Sequence, residues 1–161
     1  MERERIPIHL RFRDELIAAC VRATDNPAVL LSGGLDSGSI LAAMLETGIP
    51  FGICTMRFGE HPSNDEINAT ARWQHLCPQV PFEVIEVPRT LGQAHDIATW
   101  CIESSGSTLK TAIECMVPMK PFIEAVIARG YRTLLNGMSG GMLWGVGRQA
   151  GGMTRWPSSW I

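Results

Sequence analysis

Six consecutive residues, Ser32-Gly33-Gly34-Leu35-Asp36-Ser37, combine the residue types that hold a phosphate group. The two glycines reach backbone angles closed to other residues and let an anion approach the main chain. Their N–H groups, with those of a following helix N-terminus, make an anion cradle. Ser32 and Ser37 add hydroxyl donors. Asp36 would repel a bare phosphate, so its natural role beside one is to hold Mg²⁺ against it. The competing loops do not match: no GxxxxGK[ST] occurs, and no GxGxxG leads to an acidic residue at the next strand end. A tight strand-to-helix turn without a ligand is the plainer alternative. The context speaks for phosphate, because the apolar run Ala28–Leu31 precedes the loop and helical spacing through Ile40, Leu41, Met44 and Leu45 follows it.

The elements that would position this loop follow from periodicity. Residues 10–24 predict an amphipathic helix, with Leu10, Ile17 and Val21 on one side and Phe12, Leu16 and Cys20 beside them. Asp25-Asn26-Pro27 ends it. Residues 28–31 predict a buried strand and 37–47 a helix stopped by Gly48-Ile49-Pro50. Residues 51–58, 82–87 and 133–135 predict further strands. Helices are expected at 65–76, capped by Ser63 or Asn64, at 91–102, and at 120–129, starting near Pro118 or Pro121 and ending at Gly130. Alternating strands and helices imply an α/β fold, a doubly wound parallel sheet with right-handed crossovers. Ligands of such sheets bind beyond the carboxyl ends of the strands, where the loop falls.

Composition sets the limits. The 161 residues suit one domain, with a core at about 10–147 and a Gly/Met/Trp-rich extension at 148–161. Hydrophobic residues make up 45% and charged residues 19%, a globular balance. The net charge of −2 gives no general attraction to nucleic acid or acidic membranes. No Asp or Glu follows Glu124, whereas Arg129, Arg132, Arg148 and Arg155 do. Five cysteines without a CxxC pair argue against a disulfide framework and a tetrahedral zinc site, leaving buried, reduced thiols as the expectation. The N-terminal residues lack a signal-peptide core, and no apolar run approaches the ~20 residues needed to span a bilayer. A soluble, cytoplasmic protein is expected.

The stretch Leu31-Ser-Gly-Gly-Leu-Asp-Ser37 resembles the SGGxDS loop of the N-type ATP pyrophosphatases, the PP-loop superfamily, and within it the synthetase domain of asparagine synthetase. Leu10-Arg-Phe-Arg-Asp-Glu-Leu16, Asp65-Glu66 and the segment from Met116-Val-Pro-Met-Lys-Pro to Leu135-Asn-Gly137 are similar to the same family. The resemblance implies an adenine nucleotide alpha hydrolase-like, HUP-type fold in three α/β/α layers. It implies an amide-forming ligase that uses ATP and Mg²⁺. A small acceptor is adenylated at a carboxylate or carbonyl oxygen, pyrophosphate leaves, and an amine displaces AMP. Carried over by position, Ser32, Gly33, Gly34, Asp36 and Ser37 would bind the pyrophosphate end, with Asp36 on the metal. Leu31, Met56, Asn136 and Gly137 would line the adenosine pocket. Lys120, in the part resembling the acceptor side, would contact phosphate or carboxylate.

The second acidic loop of the family departs here. It reads Asn136-Gly-Met-Ser-Gly-Gly-Met-Leu-Trp-Gly-Val146, so Met138, Gly141 and Met142 stand where Glu, Asp and Glu are expected. Loss of a metal ligand should weaken Mg²⁺ or leave water in its place. Arg148 or Arg155 can compensate on phosphate, or can be ordinary solvated arginines. No Cys follows Met1, so no N-terminal-nucleophile glutaminase is expected, and no counterpart of the helices that complete the acceptor pocket is expected either.

Other residues carry weaker signals. His9, His61, His75 and His95 show no metal-ligand spacing and suit core or surface roles. Ser104-Ser-Gly-Ser-Thr108, with Lys110, is a loop able to close over a ligand or an ordinary connection. Trp144, Trp156 and Trp160 suit core packing, self-association or a partner subunit. Two other functions remain beside the ligase: a nucleotide-binding module without turnover, alone or as one subunit of a larger assembly, and a PP-loop sulfur-transfer or nucleic-acid-modifying enzyme.

Overall fold

A computed structural model of the chain describes residues 7–23, 25–87, 93–106 and 110–137. Along the chain run α1 (Ile8–Cys20), β1 (Pro27–Leu30), α2 (Leu35–Thr47), β2 (Gly52–Phe58), α3 (Asn64–Leu76), β3 (Phe82–Val87), α4 (Ala94–Ser105), α5 (Lys110–Ala128) and β4 (Thr133–Asn136). The four strands form one sheet in the order β3-β2-β1-β4. Every pairing is parallel, with Leu30 opposite Cys54 on one side and Asn136 on the other.

Side-chain alternation along the strands builds two cores. Val29, Leu31 and Ile53 pack with Cys20, Leu41, Met44 and Ala69, on the face covered by α1, α2 and α3. Ala28, Leu30, Cys54 and Ile85 pack with Phe122 and Val126, on the face covered by α5. The helix α4 packs on α5. The result is the doubly wound α/β/α architecture expected from the sequence.

The chain leaves β1 first toward β2 and β3, and later returns to the opposite edge of β1 as β4. The order reverses between β1 and β4, which opens a crevice at the carboxyl ends of the strands. Ser32–Ser37 leaves β1 at that crevice and Gly137 leaves β4 there.

Three helix boundaries differ from expectation by three residues or more. The first helix stops at Cys20, followed by a turn in which Ala23 N–H bonds to Cys20 C=O. The fourth extends to Ser105, past the expected end at 102, because Ser104 Oγ donates to Trp100 C=O at 2.7 Å and termination waits for left-handed Gly106. Its expected start at Leu91 lies outside the described residues. The fifth helix begins at Lys110 and runs through both Pro118 and Pro121. Each interior proline costs roughly 3 kcal/mol. Burial of Phe122 and Val126 against the sheet, and of Met116 elsewhere on the helix, offsets this at about 1.5–3 kcal/mol each. Among the described residues no helix is long and apolar enough to cross a membrane.

Gly52 opens β2 against the ring of Tyr131, whose hydroxyl donates to Glu83 Oε1 at 3.2 Å. A Cβ on Gly52 would stand 2.1 Å from Tyr131 Oη and 2.5 Å from Cζ. Gly52→Ala is therefore expected to destabilise the protein by about 1–3 kcal/mol, the usual range for overpacking. A thermal melt at the wild-type temperature would contradict the placement of this ring.

Candidate active site

The loop after β1 is held from within and from both sides. Ser37 Oγ accepts from Ser32 N–H at 3.3 Å and donates to Gly34 C=O at 3.3 Å, while Ser32 Oγ lies 3.2 Å from Ser37 Oγ and accepts from Gly34 N–H at 3.4 Å. Gly33 takes φ +75°, and a Cβ there would stand 2.5 Å from Asn68 Cβ and 2.9 Å from Ala69 N, in α3. On the opposite side, a Cβ on Gly137 would stand 2.5 Å from Ser37 N and 2.8 Å from Asp36 C. The loop is thus gripped between α3 and the end of β4.

Gly34 is the N-cap of α2, and its C=O accepts from Gly38 N–H at 3.0 Å. The amides of Leu35, Asp36 and Ser37 belong to the first turn and have no acceptor within the helix. They and the positive end of the helix dipole favour an anion at this point.

A cavity of 270 Å³ opens there. Ser32, Gly34, Asp36, Ser37, Asn136 and Gly137 make its polar side. Cys54, Met56, Phe58, Met119 and Phe122 make an apolar side, and Thr55 borders the cavity with its hydroxyl buried. Leu31 also lines it. Of the residues expected from sequence, the structure brings together Leu31, Ser32, Gly34, Asp36, Ser37, Met56, Asn136 and Gly137, while Gly33 supports the loop against α3. Burial, with the Glu83 charge adding to it, pushes the Cys54 thiol up to about 12.

A family model described as asparagine synthase matches residues 12–158. The chain belongs to the asparagine synthase family. That family lies in the PP-loop ATP pyrophosphatase superfamily, whose synthetases use ATP. No curated protein sequence matches this family member. Among solved structures it is similar to the NMN synthetase from Francisella tularensis, at 13% identity and a TM-score of 0.50, covering 78% of this chain and 52% of that one. It is also similar to the glutamine-dependent NAD+ synthetase from Acinetobacter baumannii in complex with ADP, at 15% identity and a TM-score of 0.55, covering 94% and 30%. The NH3-dependent NAD synthetase from Campylobacter jejuni subsp. jejuni NCTC 11168, in complex with the nitrate ion, gives 13% identity and a TM-score of 0.52 over 86% and 60%. At these identities the likeness is one of fold. The chain matches between 30% and 60% of the length of these proteins.

Within this asparagine synthase-family chain, Lys120 is not brought to the cavity. Its ammonium pairs with Glu124 and lies over the Trp100 ring, 5.2 Å from the centroid. Met119 and Phe122 face the cavity instead. His9, His61 and His95 are exposed and do not line it. Among the described residues no cluster of three His, Cys, Asp or Glu is suited to a metal ion. Cys20, Cys54, Cys77 and Cys101 are buried as expected, but Cys115 is exposed on α5. Ser107, Thr108, Met138, Gly141, Met142, Trp144, Arg148, Arg155, Trp156, Trp160 and the side chains of His75 and Lys110 lie outside the described residues.

Sequence reasoning did not single out Thr55, Phe58, Met119 or Phe122 for the site, nor the tie between β2 and α3, although it named Ser63 as a cap of α3, which the structure shows. There Ser63 Oγ donates to Met56 C=O at 3.2 Å and caps α3 by accepting from Glu66 N–H at 3.1 Å. The Ser63-Asn-Asp-Glu66 spacing was the available signal. The Glu66 carboxylate receives a two-point contact from Arg57, Nε to Oε2 at 2.8 Å and Nη2 to Oε1 at 2.5 Å. The Arg57 hydrogen bonds hold the buried Glu66 carboxyl below its ordinary range, against the opposing effect of burial. A carboxyl lowered on folding contributes stability above its unfolded pKa, about 4.3, and loses it as pH falls through the lower folded value.

Two outcomes are expected. Glu66→Gln, which cannot titrate, should narrow the difference in Tm between pH 7 and acid solution below about pH 4; an unchanged difference would show that the pair carries no acid sensitivity. Gly137→Ala should force β4 away from α2 and lower stability by about 1–3 kcal/mol. Normal stability in a denaturant titration would contradict the close approach.

Proposed function

We propose that this chain binds ATP in the crevice between β1 and β4, adenylates a small acceptor at a carboxylate or carbonyl oxygen with release of pyrophosphate, and so prepares it for amide formation with an amine. The observation that carries this reading is the cavity at the N-terminus of α2, whose wall is made by Ser32, Gly34, Leu35, Asp36 and Ser37 of the loop together with Asn136 and Gly137. ATP supplies the activated phosphorus: an acceptor oxygen bonds to the α-phosphorus as the bridging P–O bond breaks, and pyrophosphate leaves with the electron pair. The residues of the chain then have separate tasks. The amides of Leu35–Ser37 and the Ser32 hydroxyl would hold the pyrophosphate end and stabilise its growing charge. Met56, Met119 and Phe122 would exclude water around the adenosine end. Asp36 would hold Mg²⁺ together with phosphate oxygens and water.

A second reading is nucleotide binding without turnover, with the chain acting as one subunit of an assembly or as a self-associated module. Its support is that Asp36 is the only carboxylate lining the cavity among the described residues. Sulfur transfer has less support, since a thiol as firmly protonated as Cys54 is a poor nucleophile.

Calorimetric titration of ATP with and without Mg²⁺, followed by assay of AMP and pyrophosphate over a panel of small carboxylates, tests the proposal. The wild type should bind ATP more tightly with Mg²⁺, and Asp36→Asn should lose that dependence. Where turnover is found, Asp36→Asn should slow pyrophosphate release by ~10²–10³. Metal-independent binding in both proteins, with no AMP formed, would favour the second reading.

A further inference from the structure

The helix α5 leads into β4, so it runs from the carboxyl ends of the strands toward their amino ends. At the far end Asn26 Nδ2, just before β1, donates to Gly130 C=O, just after α5, at 2.8 Å. The helix has 19 residues, a length of roughly 28 Å, against roughly 13 Å for the four residues each of β1 and β4. Phe122 and Val126, in its second half, pack on the sheet. Met119 and Phe122 line the cavity at the carboxyl ends. The first half, Lys110 to Val117, therefore projects past the strands on the side of the crevice.

That first half is packed on α4. Ile97 and Cys101 of α4 and Met116 of α5 are buried, yet belong to neither of the two sheet cores among the described residues. Lys120 lies over the Trp100 ring of α4, and Met116 stands one turn earlier on the same stripe of α5. The stripe that meets α4 thus differs from the stripe of Met119, Phe122 and Val126 that meets the cavity and the sheet. Pro118 and Pro121 fall between the two halves of α5. Neither has an N–H, so the helix lacks the rungs that would reach the carbonyls of Glu114 and Val117. A helix bends where its ladder is interrupted. The residue between these two breaks that faces the cavity is Met119, so a bend here moves the cavity wall.

We propose that α4 and the first half of α5 form a lid, hinged at Pro118–Pro121, that closes over the nucleotide. This rests on the nucleotide reading above. Closure presses Met119 on the adenosine end and excludes water from the crevice. The polar cradle at α2 does not move, so phosphate alone gives no reason to close.

Cys115 is exposed on the projecting half of α5, and the other four cysteines are buried, so it accepts a spin label selectively. Ala71→Cys on the exposed surface of α3 supplies the second label in the full-length chain. The distance between the labels is measured by pulsed electron resonance without ligand, with Mg²⁺-ATP and with inorganic pyrophosphate, while calorimetry records binding. A swing of about 20° on an arm of about 12 Å moves its end by about 4 Å. The ligand-free distribution should be broad; Mg²⁺-ATP should narrow it and shorten its mean by about that amount, and pyrophosphate should leave it unchanged. Adding Pro118→Ala and Pro121→Ala returns both N–H groups, so this variant should melt at or above the wild-type temperature and show one narrow distance that ATP does not shift. Pro121→Ala alone should give an intermediate response. An unchanged distance in the wild type when calorimetry shows ATP bound would overturn the proposal. So would a double variant that responds as the wild type does, or one that melts lower, since the prolines would then be fixed parts of the packing. If calorimetry shows no ATP binding, the nucleotide reading fails, and the breadth of the ligand-free distribution still decides whether the hinge exists.

Discussion

The site depends on a contact too close to admit a side chain. Gly137, at the end of β4, lies against the first turn of α2, where a Cβ would stand 2.5 Å from Ser37 N. Gly33 makes the corresponding approach to Asn68 and Ala69 of α3. Between them the loop after β1 has little freedom, and the internal Ser32–Ser37 hydrogen bonds take up what remains. The first-turn amides of α2 are therefore oriented before any ligand arrives. Donors fixed in advance need no ordering on binding, which is why such sites hold anions well.

Rigidity on the polar side is matched by support on the other. The strand β2 ends in a segment whose backbone is tied to α3 through Ser63 and whose Arg57 is matched to the buried Glu66. That pairing satisfies a buried carboxylate away from the cavity and leaves Asp36 as the carboxylate of the cavity wall among the described residues. The sheet supplies the remaining condition. Since the strand order reverses at β1, the connections that leave β1 and β4 diverge and open a crevice at their carboxyl ends.

The strand–loop–helix setting of Ser32–Ser37 was legible because its signal is local: six adjacent residues with an apolar strand before and helical spacing after. The alternation of elements was legible for the same reason, as was the burial of most cysteines. The apolar wall was not. Met119 and Phe122 belong to a helix whose first half is obscured by Pro118 and Pro121, and only packing against the sheet and α4 reveals that it continues through both. Lys120 shows how fine the distinction is. It adjoins Met119 in sequence but lies about 100° further round the helix, which directs it to Trp100 and Glu124 instead of the cavity.

The central claim, that the α2 N-terminus and Gly137 form one nucleotide site, is tested most directly by following backbone amide resonances during a titration with Mg²⁺-ATP. The account predicts the largest shifts at Ser32–Ser37 and at Asn136–Gly137, with smaller ones around Met56, all saturating together. Shifts concentrated elsewhere, for example on the exposed faces of α1 or α4, with Leu35–Ser37 unmoved, would contradict it.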